Sequence, residues 1–418
     1  LKELFQGSSR EVSRMSTQVL YHGFGIRGYR HVRMMNQGGT LVFLIEQPRE
    51  SIRCPDCGSE QIHCRGGKER RWRCPPIGGK AVFVEMSVPR VECLACQARR
   101  MLPVTFAERR RTYTRAFERY VWDLSQMMTI QGIALHLGVG WDLIKDIQKR
   151  YLNRKYGKPR LCDLKRIAID EISNSKGHKY LTIVLDLDSG RVVFVGKGKK
   201  EESLRPFWKR LRASHAKIEA VAIDMSPAYQ LAVKTYLPKA AVVFDRFHIM
   251  TLFNDKLSDL RRALAREAQH GLHKDVLKGT RWLLLKNPEN LDDSKNERKR
   301  LADALKLNES LFTAYYMKDD LREAWEQDDF DAAQAFLLDW IARAEASGIR
   351  MLMGFAKTLR IHAQGILAWY DHEISTGPLE GTNNKIKTLK RQAYGFRDLD
   401  FFKLKIYALH KTRYQLVG

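Results

Sequence analysis

Between residues 165 and 250 the apolar residues change rhythm, and the new rhythm admits few folds. Five short apolar runs read as β-strands: RIAID (166–170), KYLTIVLDL (179–187), RVVFVGK (191–197), IEAVAID (218–224) and AVVFD (241–245). Helical periods separate only the later runs, near ESLRPFWKRLRAS and SPAYQLAVKTYL. Two acids that end such runs are candidate site residues: Asp170 closes the first run and Asp224 the fourth. At the carboxyl end of a strand in an α/β sheet, a side chain faces the crevice where ligands bind.

Three strands followed by strand–helix–strand is the order of a ribonuclease H-like sheet, in which the first and fourth strands are neighbours. Asp170 and Asp224 would then approach and repel each other unless cations lie between them. Carboxylate oxygens select hard metals, so Mg²⁺ or Mn²⁺ is expected, two ions per site. Glu171 follows Asp170 and by strand alternation points the other way. A third acid, Glu380, heads a polar helix in GPLEGTNNKIK. Pro378 suits its start. Glu380, Asn384, Lys387 and Arg391 recur on one face at helical spacing, with Leu379, Ile386 and Leu389 on another. Three carboxylates from two strands and a helix describe a phosphodiester-cleaving metal site, with Asn384, Lys387 and Arg391 following a nucleic-acid backbone. Taken alone, Glu380 equally fits an acid placed for the helix dipole. His248, in DRFH just after the last strand, is a supporting candidate at the site's rim. The competing reading is a histidine that partners a carboxylate or carbonyl.

Upstream, Cys54-Pro55-Asp56-Cys57 and Cys93-Leu94-Ala95-Cys96 offer four thiolates to one tetrahedral Zn²⁺, the β-rich segment between them closing as a ribbon. Cys64 and Cys74 lie between the pairs and are either alternative ligands or spare. So small a ribbon has little core, so zinc is expected to hold it folded. Its flanking Arg65, Lys68, Arg70, Arg71, Arg73, Arg99 and Arg100 suit phosphate contact or a solvated surface. In MTIQGIALHLGVGWDLIKDIQKRY, Ala134, Gly138 and Ile144 stand at the close-packing, turn and anchor positions of a helix-turn-helix. Its second helix, about residues 140–151, is expected to present Trp141, Lys145, Gln148 and Lys149 to DNA.

The 418 residues carry a net charge of +25, the balance of a protein with a polyanionic partner. No apolar run is long enough to span a membrane. With no secretory signal, paired cysteines point to metal in a reducing, cytoplasmic compartment. The chain reads as an α+β multidomain protein. Residues 1–14, opening LKELFQGSSR, resemble an expression leader, with Met15 a native start. A zinc ribbon follows at 15–108 and a helix-turn-helix at 109–160. A catalytic domain begins at 161–254 and resumes with the Glu380 helix at 373–418. Between them, 255–372 is all helical, broken at Asn287-Pro288 and near Gly348, with Trp282, Trp325, Trp340 and Trp369 in its core.

These segments resemble the bacterial insertion-sequence transposases of the ISL type. The likeness rests on CPDCGS with its second CxxC, the helix-turn-helix, SKGHKYLTIVLDLDSGRVVFV, AIDMSPAYQLAV, VVFDRFHIM and GPLEGTNNKIKTLKRQAYGFR, in that order from Met15 to the C-terminus. It implies that Asp170, Asp224 and Glu380 are a DDE triad and that 255–372 is an insertion domain. It also implies one Zn²⁺ per chain, and a ribbon and helix-turn-helix that bind the element's terminal inverted repeats. The implied activity is two-metal cleavage at the element ends, then strand transfer into target DNA, by a homodimer or larger assembly at the nucleoid. Two alternatives stand beside it: a transposase-derived DNA-binding regulator, which has no need of clustered acids, and a ribonuclease H-like nuclease that cuts without joining.

Overall fold

The computed structural model describes residues 18–175, 177–267, 277, 280–306 and 308–409. They fall into two compact units divided between Gly157 and Lys158. The expected leader, residues 1–14, lies outside the described residues.

In unit 1, β1 (Arg30–Gln37) and β2 (Thr40–Glu46) form a hairpin about Gly38-Gly39, and β3 (Ile62–Ile77) and β4 (Lys80–Cys93) a longer one about Gly78-Gly79. All four glycines have positive φ, which two-residue hairpin turns of the favoured hand require. β2 pairs parallel with β4 and joins the hairpins, while β5 (Arg99–Met101) adds to β4 near its end. Val82, Val84, Met86 and Val88 alternate inward along β4 and pack with Trp72, Phe43 and Phe106. Burying each such side chain contributes about 1.5–3 kcal/mol.

A short helix at residues 18–24 precedes the strands, and three helices follow them: α1 (Arg115–Leu124), α2 (Ile130–Leu137) and α3 (Trp141–Tyr156). Thr114 and Thr129 cap the first two through their hydroxyls. Gly138 ends α2 in the left-handed region at φ 60°, where Val139 N donates to Ala134 O at 3.0 Å. Ala134 and Ile144 are buried in the shared core, as expected for a helix-turn-helix. One charge departs from expectation. Arg73 is not a surface cation: it is buried, and its guanidinium donates to Leu137 O at 2.9 Å, tying the ribbon to the end of α2.

Unit 2 is built on a five-stranded sheet of order β10-β9-β6-β7-β8. β6 (Arg166–Ser175), β7 (Lys179–Asp186) and β8 (Val192–Lys197) are antiparallel. β9 (Ala220–Ile223) runs parallel to β6, and β10 (Ala241–Phe244) parallel to β9. α4 (Arg205–Ser214) and α5 (Pro227–Tyr236) are the crossovers. Both faces are covered, so the strands are apolar on both sides. Ile167, Ile169, Val221 and Ile223 face a core with α4, α5 and the helices that follow, whereas Ala168, Ile172, Ala220 and Ala222 face Leu379, Ile386, Phe402 and Ile406. Those four residues belong to the last two helices, α11 (Gly377–Gln392) and α12 (Leu399–Ala408).

Between β10 and α11 the described residues contain helices and no strand. The principal ones are α6 (Arg246–Glu267), α7 (Glu297–Lys306), α8 (Glu309–Arg322), α9 (Phe330–Ala346) and α10 (Arg350–Leu367). The chain breaks at Pro288 and at Gly348, as the sequence suggests. The helical run starts earlier than expected: α6 begins directly after β10 and passes through residues 254 and 255 without interruption. Trp325 and Trp340 are core, but Trp282, expected with them, is 67% exposed. Among the described residues no helix is long and apolar enough to cross a membrane.

Candidate zinc centre and active site

The four knuckle cysteines converge, all their sulfurs lying within 4.8 Å of one another. Cys54 and Cys96 are 3.7 Å apart, and Cys57 and Cys93 3.5 Å. Two thiolates on one tetrahedral zinc sit about 3.8 Å apart when Zn–S is about 2.3 Å, so the donor set fits that ion. The two knuckles share a local design. Cys54 N donates to Ser59 O and Cys93 N to Ala98 O, and the fourth residue after the first cysteine is left-handed in both, Gly58 and Gln97. Backbone N–H groups, that of Cys96 first, draw the Cys93 thiol down to about 6, while the crowded neighbouring sulfurs push Cys57 and Cys96 up, so the sulfurs cannot all ionise without a cation among them. Cys64 and Cys74 stand outside the set; burial pushes the Cys74 thiol up to about 12. Several flanking arginines serve the ribbon itself. Arg65 and Arg99 both pair with Glu92, Arg71 with Glu85 and Arg100 with Asp56.

The acids are assembled across the chain. Asp170 does not close its strand as expected. β6 continues to Ser175 because its antiparallel ladder with β7 continues, while its parallel ladder with β9 stops at Ala168–Ala222. Asp170 therefore sits where one edge of β6 is released. The same register carried on two residues brings it level with Asp224, directly after β9. Asp170 Oδ1 accepts from Glu171 N at 2.6 Å, and Oδ2 accepts from Asn383 Nδ2 at 2.8 Å. Burial holds the Asp170 carboxyl above the usual carboxylate range. The Glu171 N–H and His248 oppose that shift, while the charges of Asp224 and Asp245 add to it. Glu171 points to the opposite face, as alternation requires, and accepts from the buried Tyr229 hydroxyl at 2.6 Å. Asp224 Oδ1 accepts from Ser226 N at 3.0 Å.

Glu380 lies in the first turn of α11, exposed, on the helix that packs over this face of the sheet. Among the described residues, Asp170, Asp224 and Glu380 do not draw within 4.8 Å as a set of three, as the cysteines do. His248 is half-buried in the first turn of α6 and acts electrostatically on Asp170. Two neighbours lie outside the sequence-derived set. Asp245, buried after β10, accepts from Phe247 N at 3.1 Å and from the Thr376 hydroxyl. Its signal was available, since AVVFD repeats the strand-then-aspartate pattern of RIAID and VAID. Asn383 lies on the buried stripe of α11 with Leu379, Ile386 and Leu389, where helical spacing places it; its bond to Asp170 is what the structure adds. The donors are all oxygens, several of them mutually repelling carboxylates. That composition suits a hard divalent cation.

Three family models match in order along the chain: a zinc-finger of transposase IS204/IS1001/IS1096/IS1165 over residues 50–96, a helix-turn-helix domain of transposase family ISL3 over residues 102–152, and a transposase of the ISL3 family over residues 167–406. The chain is 32% identical over 377 residues to the transposase for insertion sequence element IS1001 of Bordetella parapertussis, which covers 89% of this chain and 92% of that one. The chain belongs to the ISL3 family of transposases. The transposase for insertion sequence element IS1557 of Mycobacterium tuberculosis is 31% identical over 386 residues, 86% of each chain. A solved structure, the Drosophila P element transposase strand transfer complex, aligns with 62% of this chain and 79% of its own at TM-score 0.33 and 12% identity, too remote a likeness to carry an argument.

As an ISL3 transposase with a helix-turn-helix, the protein binds DNA. On α3, Trp141 is exposed and Lys145 Nζ lies 5.4 Å from its ring centre; Lys149 is half-buried. Gln148 is a correction. Expected beside them, it is 1% exposed and donates from Nε2 to Ser125 Oγ at 2.7 Å. It lies one turn after Ile144 and next to Ile147, and so continues the buried stripe of the transposase's second helix. Asn384, Lys387 and Arg391 are exposed along α11 together with Glu380.

Proposed function

We propose that this transposase is a DDE enzyme. In this reading it binds the terminal inverted repeats of its insertion sequence, cleaves at the element ends and joins the freed 3′-OH to target DNA, working as a homodimer or larger assembly. The observation that carries the reading is the register that brings Asp170 level with Asp224 on neighbouring parallel strands, with the helix of Glu380 bonded to Asp170 through Asn383. The sheet, with three antiparallel strands and two parallel ones added at β6, supports a ribonuclease H-like catalytic domain. We assign its two parts to residues 161–254 and 373–418, with 255–372 an all-helical insertion, after the ribbon at 15–108 and the helix-turn-helix at 109–160.

In this reading Asp170, Asp224 and Glu380 would hold two divalent cations, Mg²⁺ or Mn²⁺. Bound there, the cations supply an activated water and a neutralised leaving oxygen. The chain does the rest by positioning. Glu171 N and Asn383 fix the Asp170 carboxylate, and Asp245 adds negative charge beside it. His248 balances part of that charge at the rim. Asn384, Lys387 and Arg391 continue from Glu380 along one exposed face and can follow a phosphate backbone. Trp141, Lys145 and Lys149 are the candidates for groove contact.

The test is a labelled transposon-end oligonucleotide incubated with Mg²⁺ or Mn²⁺, wild type beside Asp224→Ala. Joined products that vanish in the variant are expected. Binding without cutting, untouched by the substitution, would favour the regulator, and cutting without joining the nuclease. Activity that survives Asp224→Ala would mean the metal site lies elsewhere.

A further inference from the structure

Three polar side chains lace α11 to the sheet at intervals of seven residues. Thr376, its N-cap, donates to Asp245 after β10. Asn383 donates to Asp170 on β6 at 2.8 Å. Lys390 donates to Ser173 O at 3.4 Å and to Asn174 O, further along the same strand. Seven helical residues advance about 10 Å, and four strand residues about 13 Å. Helix and strand thus stay nearly in step from Asp170 to Asn174, and each lace falls where the next sheet acceptor does.

Asn383 is the lace that bears on the chemistry. It is 4% exposed, and Oδ1, opposite the amide that serves Asp170, is buried with no hydrogen-bond partner. A buried amide with an unpaired oxygen costs stability that a leucine of similar size would not. Packing alone therefore does not explain an asparagine here. Its amide fixes the second oxygen of a carboxylate whose first is already held by Glu171 N. It also lies one turn after Glu380 on the same rigid helix.

We propose that Asn383 is a positioning residue that clamps Asp170 to the helix carrying Glu380, setting the spacing of their carboxylates and hence the affinity for the divalent cations. The proposal rests on the reading of Asp170, Asp224 and Glu380 as the ligands. Partners that orient a ligand typically govern metal affinity by about 10- to 100-fold.

The test is a Mn²⁺ titration of the zinc-loaded full chain, followed by the electron paramagnetic resonance signal of free Mn²⁺, beside thermal melting in the absence of added cation. Asp170→Asn should remove the binding seen in wild type. Asn383→Leu should raise the half-saturating Mn²⁺ concentration about tenfold, with a melting temperature equal to or above that of wild type. Asn383→Ala, which loses the donor without adding bulk, should give the same shift. Wild-type binding that Asp170→Asn abolishes but both Asn383 variants leave unchanged overturns the clamp alone. Wild-type binding that Asp170→Asn does not touch overturns the ligand reading and the clamp with it.

Discussion

In unit 1 four sulfurs reach one point from two stretches of four residues each, 54–57 and 93–96; in unit 2 the acids that face one crevice come from positions 170, 224 and 245, and the helix over them from 377–392. Each knuckle is made by its own backbone, through turns closed within five residues, and the β3–β4 ladder brings the two together. The acid site has no such local unit. Asp170 and Asp224 meet through a parallel pairing, and α11 arrives after a long helical excursion. Closing so long a connection costs more entropy than closing a hairpin. Local architecture here tolerates few ligand sets, while a site assembled at long range depends on clamps such as Asn383.

The largest effect should separate the two sites outright. Chelating the zinc removes binding free energy on the order of 10 kcal/mol. Hydrogen exchange should then show lost protection in β3 and β4 while β6 and β7 keep theirs. Protection that persists in β3 and β4 would mean that the core around Trp72 suffices without metal. Next in size, Asp170→Asn should lower end cleavage about a thousandfold, equivalent to about 4 kcal/mol, with end-DNA affinity unchanged by a gel-shift titration. A parallel loss of affinity would mean that Asp170 supports the fold rather than the chemistry.

Charge distinguishes the regions too. In the ribbon, Glu92 shares Arg65 and Arg99, which hold its carboxyl below the usual range. In unit 2, Lys318 is buried with Nζ donating to Leu284 O and Lys286 O, and desolvation pulls it from 10.5 to about 8. Between those values the unfolded chain binds the proton more tightly, so stability should rise as pH increases from about 8 to 10.5, by up to about 3 kcal/mol. Denaturant melts of Lys318→Met across that range should be flatter than wild type; an identical slope would place the titration elsewhere. The smallest effect concerns α3. Gln148→Leu should change stability by less than about 1 kcal/mol, because the lost bond to Ser125 is offset by removing a buried amide oxygen without a partner, and should leave end-DNA affinity intact. A tenfold loss of affinity would return Gln148 to the DNA-facing surface.

Legibility differed along the same line. The zinc ligands, the helix-turn-helix turn and the five strands of unit 2 were readable because each is a short-range pattern: paired cysteines, a glycine at a left-handed turn, apolar runs. β1 and β3 were not read as strands. RHVRMMNQ and IHCRGGKERRWRCPPI are polar and largely exposed, and only pairing with β2 and β4 makes them strands. Gln148 and Trp282 were misplaced because helical spacing defines a stripe but not which edge of it meets a neighbour.

By itself the sequence determined the residue types and their local frames: four cysteines in two knuckles, aspartates following apolar runs, and a glutamate opening a basic helix. The tertiary structure alone decided that β6 outruns β9 at Asp170, that Asp245 joins the acids, and that the inward-facing Asn383 meets Asp170. The reason is physical. Periodicity fixes direction within an element, whereas the meeting of elements depends on register and packing between segments far apart in the chain, which no short-range pattern encodes.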